Sequence, residues 1–496
     1  MDNKFYIATS IPYAYAKPHI GNMYEFVLSD AIARYKRMKG FDVYFQTGSD
    51  EHGAKIENHA KKNNINSQDF VDENVKVIKN LCENLKISYS KFVRTTDKIH
   101  KKAVQNIFTK LYEKGDIYKG IYTGLYCTPC ESFFANNVVN DNKCPDCNRE
   151  LIEDKEEAYF LNLKKYEKEL RKYLSKDVVM PEFRKKEIIK NFLDCGLEDL
   201  CITRKNITWG IKVPFDTQYV SYVWIDALSN YFNFFEDKII PCDLHVIGKD
   251  ILRFHIIYLP VIMMALNLEL PKKFLAHSWV LAKDGKMSKS TGNVLYSDKL
   301  VEKYGLDTIR YYLLKEINYS NDGAISDDLI IERYNSDLAN TLGNLVSRTI
   351  AMSDKYFEGI VINTNCTKNI DNEFKNILEE NKEEYFKNMN EYMVPDAVEN
   401  ILIILRRANK YIDETTPWIL GKEGNKERLN TVLYNLLEVI RQSTILLSPL
   451  LPDTSKKIFT QLNTNKISFE TLEDFEGMSY TKKLGNREVL FNRLEQ

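Results

Sequence analysis

Two apolar runs flank one amphipathic stretch near the start of the chain, and this arrangement limits the fold more than any other feature. The runs are "KFYIATSIPY" (4–13) and "DVYFQTGSDEHG" (42–53), and between them lies "HIGNMYEFVLSDAIARYKRMKG" (19–40). Apolar residues recur in the middle stretch at three- and four-residue spacing until Gly40, which predicts a helix; the flanking runs predict strands. A helix between two strands is a crossover, so the strands lie parallel in one sheet with a right-handed connection. Both strands end in polar turns that contain Pro or Gly. Open parallel sheets bind ligands at that carboxyl edge, where the strand order reverses.

The pattern continues as a helical stretch to about residue 115 and then changes. Residues 120–155 are rich in turn residues and carry "CTPC" and "CPDC", and 156–235 mix short helices with strands. "DLHVIGKDILRFHIIYLPVIMMAL" (243–266) restores strand, turn and helix, and "KFLAHSWVLAKDGKMSKS" restores strand and loop. From about residue 325 strand patterns vanish and amphipathic helices dominate. The 496 residues are enough for about three domains. The reading is an α/β protein. A Rossmann-type parallel-sheet domain (1–115 and 236–325) is split by a zinc-binding insertion (116–235) and followed by an all-α helical bundle (326–470). The last segment (471–496) regains apolar character in "GNREVLFNRLE" and is expected to dock back on the body as a helix.

Charge and cysteine usage narrow the function classes. A formal net charge of −1 excludes a polycation that coats nucleic acid indiscriminately, so any such partner is caught by local patches and shape. Charges interrupt every apolar run before the roughly 18 residues a membrane span needs. The start "MDNKFYIATSIPYAY" has no signal-peptide pattern, which places the protein in the cytoplasm. Of nine cysteines, Cys127, Cys130, Cys144 and Cys147 form C-x2-C-x13-C-x2-C, and the rest are scattered as core thiols. Two chelating pairs at that spacing form a knuckle with four thiolates around structural Zn²⁺, leaving no open position for catalysis. A zinc-ribbon nucleic-acid module uses the same pattern, but it does not account for the flanking sheet.

Two further motifs read as phosphate chemistry. In "KPHIGN" (17–22), His19 and Asn22 flank a helix start, and Gly21 lets backbone approach phosphate oxygens at the helix N-terminus. "KDGKMSKSTGN" (283–293) holds three lysines, two serines and two glycines directly after an apolar strand. That composition suits a mobile loop whose compact cations, Lys286 and Lys289, close on a phosphate chain.

Together these two sequences resemble the signatures of class I aminoacyl-tRNA synthetases; Asn22 stands where many members have a second histidine, and an amide can still donate. "TSIPYAYAKPHIGN", "TGSDEHG", "DLCITRKNITWG", "YVWIDALSNYF" and "HVIGKDILRFH" follow the order and spacing of the methionyl-tRNA synthetase family. The likeness extends to "GAISDDLIIERYNSDLANTLGNLVSR" and "DETTPW". It implies a methionine–tRNA ligase of the bacterial type with one zinc knuckle, using ATP with Mg²⁺. Its tRNA would be tRNA(Met), the initiator included. His19, Asn22, Lys286 and Lys289 would be catalytic, with His19, Gly21, Asn22, Gly248, Asp250 and the two lysines on ATP. Asp50 would take the methionine ammonium and Arg204 its carboxylate. Ile11, Tyr13, Trp224, Ala227, Leu228, Tyr231, Ile251 and His255 would surround the thioether, which aromatic rings suit. Asn344 and Arg348, four apart on one helix face, would read the anticodon with Trp418. The chain ends without the appended domain that dimerises some relatives, which implies a monomer. Two other classes compete: another adenylyl-transferring enzyme on a similar sheet, and a non-catalytic tRNA- or zinc-binding protein.

Overall fold

The computed structural model describes residues 3–127, 132–134, 142–144, 149–232, 234–235, 238–282, 296–473, 475–478 and 482–495. By compactness the chain forms two units. One comprises Lys4–Phe26 and Val43–Trp279; the other comprises Met1–Asn3, Val27–Asp42 and Val280–Gln496.

The first unit is built on a six-stranded sheet. Its strands are β1 (Lys4–Thr9), β2 (Asp42–Ser49), β3 (Lys91–Arg94), β4 (Val179–Met180), β5 (Leu244–Gly248) and β6 (Phe274–His277). Their spatial order is β3-β2-β1-β5-β6-β4. Parallel pairing sets Ile7 opposite Leu244, His245 opposite Phe274, and Gln46 opposite Lys91. Order reverses between β1 and β5, so the ligand crevice of such a sheet falls at their carboxyl ends. β1 is buried from Phe5 to Thr9 and β5 throughout, as in a parallel sheet covered on both faces. Helix α1 (Ile20–Met38) forms the first crossover and ends in Lys36 and Arg37, which suit the negative end of its dipole.

Two strands depart from the sequence expectation. β3 interrupts the stretch read as helical to residue 115. β4 lies inside the predicted insertion yet pairs with β6, Phe274 opposite Val179. With four and two residues, neither is long enough to print a periodicity. The insertion has its own antiparallel sheet, in which Ile117–Cys127 pairs along Ile152–Leu161.

The second unit is mainly helical. Its centre is the helix Lys426–Leu447, buried at every position from Arg428 to Leu447. A helix apolar on one stripe alone could not occupy that place, and its charges are paired inside the bundle. Arg428 donates to Asp371 at 2.8 Å, and Arg441 to Glu438 at 3.0 Å. Asp30 of α1 meets Arg310 at 2.8 Å with both side chains fully buried. Asn369–Asn390, Val394–Thr415 and Pro452–Leu462 pack around this core.

The tail packs back on this unit, but not as the expected helix. Residues 482–495 form neither helix nor strand. Leu484 N–H donates to Gly359 O at 2.9 Å and Gly485 N–H to Gln461 O at 2.8 Å. The side chains of Gln461 and Asn335 take the N–H groups of Glu488 and Leu494, each at 3.0 Å. A chain whose backbone groups are satisfied by its neighbours has no need of internal helical bonds. Gly, Asn and Val in "GNREVLFNRLE" lower its helix propensity further. Among the described residues no helix is long and apolar enough to cross a membrane. Of the five scattered cysteines, Cys82, Cys201 and Cys242 are buried, but Cys195 is exposed and Cys366 half-buried, so only three are core thiols.

Candidate active site at the carboxyl ends of the strands

Beyond Thr9 the chain turns and enters α1 at Ile20. His19 Nδ1 accepts the Gly21 N–H at 3.0 Å, which leaves the ring proton on Nε2. Asn22 Oδ1 accepts the His19 N–H at 3.2 Å, so its NH₂ end is the donor that remains. A methyl group at Gly21 would press on the His19 ring at 2.9 Å; glycine there makes room for the imidazole. Desolvation lowers the His19 pKa, while Asp250 and Glu25 pull it up.

Asp250 follows β5. A Cβ on Gly248 would stand 2.6 Å from its Oδ1, so glycine lets the carboxylate fold back over the strand end. Asp250 accepts from Trp279 Nε1 at 3.1 Å. Beneath it Glu25 accepts from Ser10 N–H at 2.8 Å and meets His277 Nε2 at 3.0 Å, both side chains buried. Burial alone would lower the His277 pKa, but the Glu25 carboxylate raises it. Glu25, His277 and Trp279 were not among the sequence candidates. A carboxylate on the apolar face of α1 was the available signal.

A second group gathers beside this one. Tyr13 bridges to Asp50 as a short parallel pair, with Asp50 N–H on Pro12 O at 2.9 Å and Ala14 N–H on Asp50 O at 2.8 Å. Asp50 is 6% exposed. The Tyr231 hydroxyl lies 3.1 Å from Thr9 O and 3.0 Å from His255 Nε2, and His255 Nδ1 lies 2.9 Å from Ile251 O. The carbonyl fixes the proton on Nδ1, so Nε2 faces the tyrosine as an acceptor. Burial pushes the His255 pKa down to about 4 against the Ile251 carbonyl and Asp250, so the ring is neutral at pH 7. His255 sits in a wide, π-type turn (Phe254–Tyr258) within its helix, a feature frequent at functional sites. Trp224 stacks on Phe254 with centroids 3.6 Å apart, and Ala227 and Leu228 are buried on the same short helix, Val223–Leu228. Ile11 is half-buried in the turn after β1. Arg204 lies on a two-stranded ribbon, in a buried ion pair with Glu156 at 2.9 Å. The described residues thus set a polar edge at His19 and Asp250, an aromatic group with the neutral imidazole of His255, and the Asp50 carboxylate in the turn after β2.

Cys127 ends its strand, and the Cys144 N–H donates to Arg149 O at 2.8 Å. Both are buried and pack with Leu151, which fits a shared metal knuckle. Cys130, Cys147, Lys286 and Lys289 lie outside the described residues. In the helical unit Asn344 is exposed, Arg348 is 3.5 Å from Asp413, and Trp418 is 37% exposed, unusual for so large an apolar ring. Trp418 follows Pro417 in the first turn of a short helix (Pro417–Lys422) that packs on Asn344–Phe357, the helix that carries Asn344 and Arg348.

Comparison with known proteins agrees with this geometry. The family model described as "tRNA synthetases class I (M)" matches residues 5–154 and 151–350, and "Anticodon binding domain of methionyl tRNA ligase" matches 363–496. The methionine–tRNA ligase of Clostridium tetani is 48% identical over 99% of this chain and 78% of its own length. That of Bacillus subtilis is 42% identical over 100% and 78%. Among solved structures, Mycobacterium tuberculosis methionyl-tRNA synthetase in complex with methionyl-adenylate superposes with a TM-score of 0.94 at 34% identity, covering 99% of this chain and 100% of that one. The chain belongs to the methionyl-tRNA synthetases, a family of class I aminoacyl-tRNA synthetases.

Proposed function

We propose that the crevice at the ends of β1 and β5 holds ATP and methionine side by side and carries the chemistry of a methionine–tRNA ligase. In that reaction the methionine carboxylate attacks the α-phosphate of ATP, releasing pyrophosphate, and the methionyl group then passes to the 3′-terminal adenosine of tRNA. No covalent enzyme intermediate is required, so positioning and charge stabilisation do the work.

Each assigned residue has a chemical reason. His19 Nε2–H and the Asn22 amide donate to the phosphates, Gly248 and Asp250 take the ribose, and Lys286 and Lys289 neutralise the departing pyrophosphate. Asp50 receives the substrate ammonium and Arg204 steadies its carboxylate. Ile11, Tyr13, Trp224, Ala227, Leu228, Tyr231, Ile251 and His255 enclose the thioether. The observation that carries the reading is the neutral Tyr231–His255–Ile251 chain: an imidazole held uncharged beside aromatic rings suits a polarisable sulfur. Magnesium accompanies ATP. Cys127, Cys130, Cys144 and Cys147 would hold a structural zinc, with stoichiometric zinc by metal analysis as its test. Asn344, Arg348 and Trp418 read the anticodon of tRNA(Met), initiator included. The protein acts as a cytoplasmic monomer, and the functional division of the chain follows residues 1–115, 116–235, 236–325, 326–470 and 471–496. Amino-acid-dependent ATP–pyrophosphate exchange against the twenty amino acids tests the assignment. Methionine alone should support exchange; preference for another amino acid would overturn it.

A further inference from the structure

Behind the pocket, one carboxylate is shared by two imidazoles. Asp226 Oδ2 is 2.7 Å from His52 Nδ1 and Oδ1 is 2.6 Å from His100 Nε2, and all three side chains are buried. The three groups come from three elements. His52 lies two residues after Asp50 in the turn that follows β2, His100 lies on the helix Lys98–Glu113, and Asp226 lies between Trp224 and Ala227. The same turn is tied to the other wall, because the Tyr13 hydroxyl donates to His52 O at 2.7 Å.

We propose that Asp226, through its bond to His52, is a positioning residue that sets the distance between the ammonium site at Asp50 and the side-chain pocket on the Trp224 helix. This rests on the methionine-site reading above. An ionised carboxylate accepts only, so both imidazoles must present N–H groups, and the two rings are held in defined tautomers. Burial opposes the charge on Asp226, yet His52 and His100 hold its pKa down to about 2, in keeping with an ionised acceptor at neutral pH. A zwitterionic amino acid is measured at both ends. Its ammonium needs Asp50 while its side chain needs the aromatic pocket, so a turn that drifts relative to the helix lets only one end bind well. The neighbouring Glu51 explains why a second tie is needed. It bonds Arg94 at 2.7 Å and accepts from Thr96, which anchors the turn to the β3 side and away from the Trp224 helix.

The two histidines make the test. His52→Phe and His100→Phe each remove one N–H from the same buried carboxylate, so their costs in thermal stability should be alike. Only His52 belongs to the Asp50 turn. In ATP–pyrophosphate exchange, His52→Phe and Asp226→Asn should raise the KM for methionine about tenfold or more, since small misplacements of a bound substrate cost that much. Their KM for ATP should stay within about twofold, and His100→Phe should leave both constants near wild type. Equal increases in the two histidine variants, or none in either, would overturn the proposal. Should Asp226→Asn fail to fold, the histidine pair still decides. Asp50→Ala is run beside them. A raised methionine KM there with an unchanged one in His52→Phe rejects the positioning role alone, whereas an unchanged KM in Asp50→Ala rejects the site reading itself.

Discussion

On the proposed assignments, the strand-end crevice and the Asn344–Arg348–Trp418 face solve two recognition problems by opposite means. The crevice draws its groups from segments as far apart as residues 10 and 277 and buries most of them, and its charges interlock. The helical face presents residues from neighbouring helices, with an exposed tryptophan and an arginine leaning on a solvent-exposed aspartate. A reaction that must hold a nucleophile against a phosphate needs preorganised, water-poor surroundings. Reading unpaired loop bases needs edges and ring faces that stay accessible. Substitutions should therefore separate the two by assay: crevice variants fail in adenylate formation, and face variants fail only when tRNA is present.

The largest effect should come from Lys289→Ala, which is expected to slow adenylate formation by roughly 2–4 kcal/mol of barrier, as lost oxyanion donors do. Methionine affinity should hardly move, and single-turnover kinetics at saturating methionine reads both. Asp50→Ala comes next: losing a charged hydrogen bond of about 1.5–3 kcal/mol should raise the methionine KM in exchange while that for ATP holds. Trp418→Ala tests the other side of the contrast. A stacked base is worth about 1–3 kcal/mol, so aminoacylation should weaken roughly ten- to a hundredfold while exchange without tRNA stays at wild type. Equal losses in both assays would make Trp418 a folding residue and erase the distinction between the regions. The smallest effect concerns the interlock itself. His277 titrates higher in the fold than in the unfolded chain because of Glu25, so the pair's contribution is full below the ordinary histidine pKa of about 6.5. It is lost as pH rises through the raised folded value. Thermal stability of wild type should therefore fall on the alkaline side, and Glu25→Gln should flatten that slope; parallel slopes would show the pair does not act as charged partners.

Much of the architecture was legible because periodicity reports one local environment at a time. The β1–α1–β2 crossover, the cysteine-bearing insertion and the helical second half all follow from runs long enough to carry a period. Lys91–Arg94 and Val179–Met180 escaped because strands of four and two residues owe their conformation to the neighbour they pair with. The tail misled for a related reason: its apolar residues do pack, but its backbone bonds go to Gln461, Asn335 and Gly359 instead of to itself. At the site, recognisable motifs supply the proposed residues, while the partners that hold them carry no such signal. Glu25 and His277 are 252 positions apart, and no local pattern joins them.

The wide turn at Phe254–Tyr258 gives the pocket a dependence on chain length as well as on chemistry. The wide turn holds one residue more than a regular α turn, so deleting one residue from this segment would let regular bonding resume with the flanking turns keeping their faces, while the residues inside the turn are re-aimed. The helix would survive. His255 would no longer meet Tyr231, and Phe254 would leave the face of Trp224. A scan of substitutions, however complete, preserves the count of residues and would pass over this determinant; single-residue deletions would expose it.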